Sequence, residues 1–411
     1  MEDTGPQEMR TEYTARRRAF AGALKGGSAI LTGHDALQSR ADGAYPFVQQ
    51  ADFFYLTGIN EPRWQCLYDA SEDIFILVAP HVSASRALFD GALTWDEARA
   101  ISGIETIIRH SDLLARLRAL RAHSPVIHTI VPNPGEYGDE FALNPAATRL
   151  TRQLARIFEQ VQSCRAQLMA LRVLKSPIEI EIMRRAIAAT AEGFEEVRAH
   201  LGRGAYAYEY EIEATLSDAF RRTGAEGHAY SPIVAGGIHA CTLHYAQNSA
   251  ALESGQFVLI DAGAKYQEYA ADVTRTLAVG AVSARHQAVH RAVEHAHQQI
   301  VALLRPGLAV RDYSQEVDRI VKRALHELEL LDDMDDDATY RKYFPHAISH
   351  GLGIDVHESL GGFDTFMPGM VLTVEPGIYI PEEGIGVRIE DDILITEDGH
   401  ENLTASIPTS L

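Results

Sequence analysis

Four acidic residues in the C-terminal half of this chain fall into two pairs, Asp261 with Asp272 and Glu375 with Glu390. Each pair lies in a stretch that reads as a strand folding back on itself. A turn centred on Tyr266 and Gln267 predicts Asp261 directly across from Asp272, and one centred on Glu382 and Glu383 predicts Glu375 across from Glu390. Directly opposed side chains have Cβ atoms about 4.5–5.5 Å apart, and like charges there repel. Two such pairs in one domain need something positive between them, and a dinuclear metal centre is the simplest candidate.

In Gly386–Ile395, Val387, Ile389, Ile393 and Ile395 share one face at period two, while Arg388, Glu390 and Asp392 share the other. In isolation such a charged face reads as solvated. Glu375 across the hairpin shifts the reading towards ligands, because a single Arg388 cannot neutralise four acids. Asp261 ends the apolar run Leu259-Ile260, where the ordinary reading is a turn cap; Ala270-Ala271 leave room for an ion beside Asp272. His346, His350 and His357 lie among glycines that allow close backbone approach to a bound group. His286, His290, His295 and His297 read instead as a solvated helix face, and His244 is not interpretable alone. Asp332–Asp337 lacks the central Gly and terminal Glu of a calcium loop and reads as exposed.

Asp261, Asp272, His350, Glu375 and Glu390 together offer four oxygen donors and one imidazole. Such a set suits Mn²⁺ or Mg²⁺, whereas closed structural zinc sites favour thiolates and imidazoles. Two ions sharing bridging carboxylates would generate a metal hydroxide at neutral pH and clamp a tetrahedral intermediate.

The elements that must position these groups can be read from the pattern. Ile74–Val78 and Val126–Val131 read as strands, the second ended by Pro132-Asn133-Pro134-Gly135, with an amphipathic stretch around Leu113–Leu120 between them. The expectation is an α/β domain over residues 1–168. Ser176, Pro177 and Glu179 then form a clear helix start, running to about Gly202. Further helices are predicted at about Glu209–Thr223, Ala284–Leu304 and Val310–Leu328. Strands are predicted at Phe257–Ala262, Tyr269–Val279, Val371–Glu375 and Val387–Thr396. Helices with antiparallel hairpins make residues 169–411 an α+β domain, with a hint of internal pseudo-symmetry.

With 411 residues, 46% hydrophobic and 23% charged, the chain has the composition of a soluble globular protein of two or three domains. Its formal net charge of −20 argues against nucleic acid or an anionic membrane as partner. No apolar run approaches the ~18 residues of a membrane span. The opening Met1-Glu2-Asp3-Thr4-Gly5-Pro6 lacks the features of a signal peptide. Cys66, Cys164 and Cys241 are few and widely spaced, which suits the cytoplasm.

The segment from about Leu171 onward resembles the pita-bread metallopeptidases, in particular their Xaa-Pro branch, aminopeptidase P and prolidase. The matching stretches are Leu243-His244-Tyr245, Ile260-Asp261-Ala262-Gly263, Asp272-Val273-Thr274-Arg275-Thr276, Ser349-His350-Gly351-Leu352-Gly353, Asp355-Val356-His357, Val374-Glu375-Pro376-Gly377 and Val387-Arg388-Ile389-Glu390-Asp391-Asp392. Gln49–Gly58 and Glu61-Pro62 resemble that branch's extra N-terminal domain. The resemblance implies two divalent ions, usually Mn²⁺. Asp261 and Asp272 would hold one and His350 and Glu375 the other, with Asp272 and Glu390 bridging. It further implies that Glu375 shuttles a proton, that His244, His346 and His357 contact substrate or stabilise the oxyanion, that Arg388 holds the charge network and substrate, and that Tyr379 lines the proline pocket. The implied substrates are Xaa-Pro peptides and the implied assembly is a homodimer or larger. The connection from Pro376 to Arg388 is short for this branch, which leaves dipeptides and longer peptides both open. Competing readings are a creatinase-like hydrolase of a non-peptide C–N bond, whose relatives do not keep the full metal set, and a non-catalytic pita-bread binding protein, whose relatives lose ligands.

Overall fold

Alternating strands and helices in the first part, and paired hairpins in the second, build two different architectures. The structure, a computed structural model, describes residues 5–132 and 142–411. The chain divides into two compact units, Met1–Arg172 and Val173–Leu411. The division expected at 168/169 lies within the helix Arg165–Arg172, which stays with the first unit. The predicted turn at Pro132–Gly135 falls mostly outside the described residues, as do Met1–Thr4.

The first unit is α/β. Helix α1 (Pro6–Ala23) precedes a six-stranded sheet of β1 (Ala29–Thr32), β2 (Gln65–Asp69), β3 (Ile74–Ala79), β4 (Thr106–Arg109), β5 (Val126–Thr129) and β6 (Gln160–Ser163), in the order β4-β3-β2-β1-β5-β6. The β1–β2 and β2–β3 pairs are antiparallel; the outer pairs are parallel. Helix α2 (Leu113–His123) lays Leu113, Leu117 and Leu120 on Ile30, Leu67, Ile76 and Ile127. Those residues recur at helical spacing on one element and alternate along the others, which is why they meet.

The second unit is α+β. Its first helix, α3 (Pro177–Leu201), starts at a capping box: the Ser176 N–H donates to the Glu179 carboxylate at 2.9 Å, and the Ser176 hydroxyl accepts from the Glu179 N–H. A cap of this kind contributes about 1 kcal/mol. Helices α3 and α4 (Glu209–Arg222) cover a sheet of β7 (Ile233–Gly236), β8 (Gln256–Asp261) and β11 (Thr274–Val279), with the short β9 (Ala264–Tyr266) and β10 (Tyr269–Ala270) between the last two. Phe194, Leu216, Phe220, Val258 and Ile260 fill that interface. Helices α5 (Ala284–Val301) and α6 (Val310–Glu327) cover β12 (Val371–Val374), β13 (Gly377–Ile380), β14 (Ile385–Arg388) and β15 (Asp391–Ile395) in the same way, through Val293, Ile300, Val317, Ile389 and Ile393. Each half is thus a helix pair on a hairpin. Among the described residues no helix is long and apolar enough to cross a membrane.

The two hairpins differ in how they match expectation. In the second, Gly377 pairs with Arg388 and Val371 with Leu394, the register that sets Glu375 across from Glu390. In the first, Asp261 pairs with Thr274, not Asp272, because the turn is Gln267-Glu268, one residue further on than predicted. A two-residue shift keeps every side chain on its expected face. The strand predicted as continuous from Tyr269 to Val279 is broken at residues 271–273, and that from Val387 to Thr396 at residues 389–390. His290 and His297 are also not solvated: they are buried, at 1% and 4% exposure.

Candidate metal centre

All four paired carboxylates sit where a strand stops. Asp261 ends β8, Asp272 lies between β10 and β11, Glu375 between β12 and β13, and Glu390 between β14 and β15. Backbone groups freed at these breaks bond to other segments: the Glu390 N–H donates to the Thr274 carbonyl of the first hairpin at 3.1 Å, and the Glu375 N–H to the Ile348 carbonyl at 3.0 Å. Gly263 lets the first hairpin close on itself. A Cβ there would lie 1.7 Å from the Ala271 carbonyl oxygen, so only glycine allows the approach that brings Asp261 and Asp272 together.

Asp272, His350 and Glu390 each present a ligand atom within 4.8 Å of the others. Glu375 joins through Oε1, 3.6 Å from His350 Nε2. Asp261 is oriented differently: Oδ2 accepts from Arg388 Nη2 at 2.5 Å, and Oδ1 lies 2.6 Å from the Tyr230 hydroxyl. That same hydroxyl lies 2.5 Å from Asp272 Oδ1. Glu390 Oε2 accepts from the Thr274 hydroxyl at 2.6 Å, and Thr274 in turn accepts from Arg388 Nε at 3.1 Å.

The donor set fits divalent ions on three observations. His350 Nδ1 lies 3.0 Å from the Gly351 carbonyl, an obligatory acceptor, so Nδ1 carries the proton. The lone pair on Nε2 then faces Asp272 Oδ2 at 3.5 Å and Glu375 Oε1 at 3.6 Å, three atoms that are all acceptors once the carboxyls are ionised. Tyr230 has one hydroxyl proton for two carboxylates. Finally, burial and mutual repulsion hold the Asp272 and Glu390 carboxyls well above their ordinary range, and burial pushes Glu375 up to about 7. A cation satisfies all three. Burial lowers His350 to about 4, so its imidazole is neutral and ready to ligate.

The residues expected on the substrate side form a second layer. Arg388 Nη1 donates to the Tyr379 hydroxyl at 2.9 Å, which lies 2.9 Å from His346 Nε2. His346 Nδ1 lies 2.7 Å from the Ala347 carbonyl, so Nδ1 holds the proton and Tyr379 donates to Nε2. Burial, then the charge of Arg388, takes His346 down to about 4. His357 stands edge-on to His350, ring centres 4.4 Å apart. His244 and His357 are exposed, while Tyr379 and Arg388 are buried. The predicted residues therefore range from a buried acidic floor to an exposed histidine rim.

Tyr230, Thr274, Thr373 and Asp392 also belong to the site, and the sequence reading gave them no role. Asp392 Oδ2 accepts the Asp272 N–H at 3.2 Å, and Thr373 Oγ1 accepts the His350 N–H at 3.1 Å. Thr274 and Asp392 lie two residues from Asp272 and Glu390, so period-two spacing was a usable signal. Tyr230, in the irregular run before Ser231-Pro232, offered none.

Metal removal should make stability depend on pH. A carboxyl whose folded pKa is raised binds protons better in the folded than in the unfolded chain, so stability falls as pH rises above the unfolded value near 4. The metal-free protein is expected to lose a few kcal/mol between about pH 5 and pH 8, as Glu375, pushed up to about 7, ionises beside the raised Asp272 and Glu390 carboxyls. Saturating Mn²⁺ should abolish that slope. Thermal melts of chelated and reloaded protein across this range provide the measurement; parallel curves would count against a shared ion site.

Residues 181–397 match the family model described as Metallopeptidase family M24, and residues 13–128 match that of the Aminopeptidase P, N-terminal domain. Over 433 aligned residues the chain is 34% identical to the Xaa-Pro aminopeptidase of Haemophilus influenzae, covering 97% of this chain and 95% of that protein. Among solved structures it is similar to aminopeptidase P from E. coli with the inhibitor Pro-Leu, at a TM-score of 0.84 and 31% identity over 98% of this chain and 96% of the other. The Zn-substituted E. coli enzyme in complex with product gives a TM-score of 0.83 and 32% identity, with the same coverage.

Proposed function

We infer the reaction from kinship: the chain belongs to metallopeptidase family M24, carries the aminopeptidase P N-terminal domain, and acts as an Xaa-Pro aminopeptidase with a dinuclear metal centre. The observation that carries this is the convergence of Asp272, His350 and Glu390 in a chain alignable along 97% of its length with such an enzyme. The substrates are peptides with proline in second place.

Asp261 and Asp272 would hold one ion, His350 and Glu375 the other, with Asp272 and Glu390 shared; the oxygen-rich donor set favours Mn²⁺. When bound, such ions lower the pKa of water and polarise a carbonyl. An Xaa-Pro bond is a tertiary amide with a ring that fixes φ. Its nitrogen leaves as a poor anion unless it receives a proton. Glu375, with a carboxyl near neutrality, suits taking a proton on one oxygen and delivering it to that nitrogen. His346, neutral and protonated at Nδ1, lies 3.5 Å from Glu375 Oε2 and can steady it. His244 and His357 bind the peptide at the rim. Arg388 fixes Asp261 and Tyr379, and Tyr379 lines the proline side.

Assembly as a homodimer or larger is supported by Leu88 and Phe89, 82% and 81% exposed on the helix Ala84–Asp90, which buries none of its residues. Sedimentation at the monomer mass would reject that. The unpaired Cys66, Cys164 and Cys241 support a cytoplasmic setting.

The functional reading is tested with chelated protein, an Xaa-Pro-Yaa tripeptide and an Xaa-Pro dipeptide. Added Mn²⁺ is expected to restore release of the first residue, faster from the tripeptide. No metal-dependent release from either would reject the activity, and release from the dipeptide alone would make the enzyme a dipeptidase.

A further inference from the structure

Glu209, the first residue of α4, has a side chain with no exposed surface, yet it lies outside the metal centre. Oε1 accepts the Gly236 N–H at 2.8 Å and faces His239 Nδ1 at 3.2 Å. Oε2 accepts the Tyr245 hydroxyl at 2.9 Å and the Ala250 N–H at 2.8 Å. The Glu209 N–H returns a bond to the Ala250 carbonyl at 3.0 Å. All four donors belong to residues 236–250, the segment that carries His244.

That segment has little internal structure to hold it. It begins with one 3-10 turn, Gly237–Cys241, and runs on without helix or strand. Its shape therefore depends on outside anchors. Asn248 supplies one, accepting the Val234 N–H at 2.9 Å. Asn248 also donates to Glu213 Oε2 and to the Pro232 carbonyl, each at 2.9 Å, and Cys241 Sγ donates to the Ile385 carbonyl at 3.5 Å. Glu209 adds the contacts to Gly236, His239, Tyr245 and Ala250, strengthened by a carboxylate acceptor. Tyr245, the residue after His244, is fixed on three sides. Its hydroxyl is on Glu209, its ring stacks on His239 with centres 4.6 Å apart, and it packs in a cluster with Ala240, Leu259 and Tyr379. Tyr379 is the residue that bonds His346 and Arg388. Fixing Tyr245 leaves the exposed His244 beside it little freedom to leave the site.

We propose that Glu209 is a positioning residue that holds His244 at the substrate side of the metal centre. This rests on the reading of His244 as a substrate-binding residue. The bonds act through the loop, so Glu209 touches neither substrate nor ions.

The test is a double-mutant cycle of Glu209→Gln with His244→Ala, read as kcat/KM on an Xaa-Pro-Yaa tripeptide and as bound Mn²⁺. Glu209→Gln is expected to lower kcat/KM by roughly 10–100-fold with metal content unchanged, as loss of a supporting partner does elsewhere. In that background His244→Ala should cost under about threefold, because the two residues act as one unit. Tyr245→Phe, which removes a single donor at constant shape, should show a smaller loss with the same non-additivity, and covers the case in which Glu209→Gln fails to fold. Hydrogen exchange supplies a readout independent of turnover: the Gly236 and Ala250 amides should exchange faster in Glu209→Gln. Multiplicative losses in both cycles, or unchanged exchange, would overturn the inference. An inactive wild type would overturn the functional reading instead.

Discussion

Glu390→Ala and Asp272→Ala are each expected to abolish Mn²⁺-dependent cleavage, with a loss well beyond the roughly 10–100-fold that removing an outer-sphere partner costs. Both residues are buried and both supply an atom to the cluster with His350. On the proposed assignment, removing either would leave the remaining donors unable to share two ions. Asp391, next to Glu390 in sequence, is held by Arg275 and Thr404, while Asp392 accepts the Asp272 N–H and points its other buried oxygen at no partner among the described residues. The same substitutions should leave the metal-free fold more stable above pH 7 than the wild type, since each removes one of several mutually repelling groups. This pairing of lost activity with gained apo stability separates a ligand from a structural residue. Metal analysis, turnover and thermal melts measure it together, and retained turnover in either variant would sink the bridging assignment.

Arg275→Ala is expected to destabilise the second unit by about 3–5 kcal/mol, the cost of stranding one partner of a buried ion pair. Arg275 is 1% exposed, and its guanidinium is fully used. Nη1 donates to the Thr274 and Glu390 carbonyls at 2.9 and 2.5 Å; Nη2 donates to Asp391 Oδ1 at 2.5 Å and the Ile407 carbonyl at 2.7 Å. Nε lies 3.2 Å from the Ile407 and Pro408 carbonyls. Lysine cannot reproduce this fork, so Arg275→Lys should recover little. Burial alone would raise the Asp391 carboxyl, but Arg275, His297 and Thr404 outweigh it and hold the group below its ordinary value. The pair therefore contributes stability above about pH 4 that fades as acid protonates Asp391. Denaturant unfolding at pH 7 measures the loss; a change under about 1 kcal/mol would show that the carbonyls find other donors.

How far the site was legible depended on the kind of signal each residue left. Glu375 and Glu390 could be paired from sequence because the hairpin from Val371 to Ile395 keeps one register through its break, about a turn at Pro381–Glu383 and Gly384. Asp261 and Asp272 were placed two residues out of register. Gln267 and Glu268 form that turn with φ of 46° and 67°, and neither is the Asn or Gly that marks such a conformation. The face survived the error because side chains alternate with period two. His290 and His297 looked like a polar helix face, but they share a stripe with Val293 and Ile300 at spacings of three and four, which was the clue to their burial. Arg275 stood in a matched motif without a partner to suggest its role, because Asp391 is remote in sequence and sits on the nominally apolar face of its strand. Tyr230 left no periodic trace at all.

The Arg275 fork also joins parts of the second unit that are far apart in sequence. Its bonds to Ile407 and Pro408, with the Thr404 hydroxyl on Asp391 at 2.7 Å, clamp the strand that bears Glu390 with residues near the end of the sequence. Removing residues 404–408 would loosen the break that carries Glu390. The centre is therefore braced by side chains and carbonyls that supply no ligand of their own.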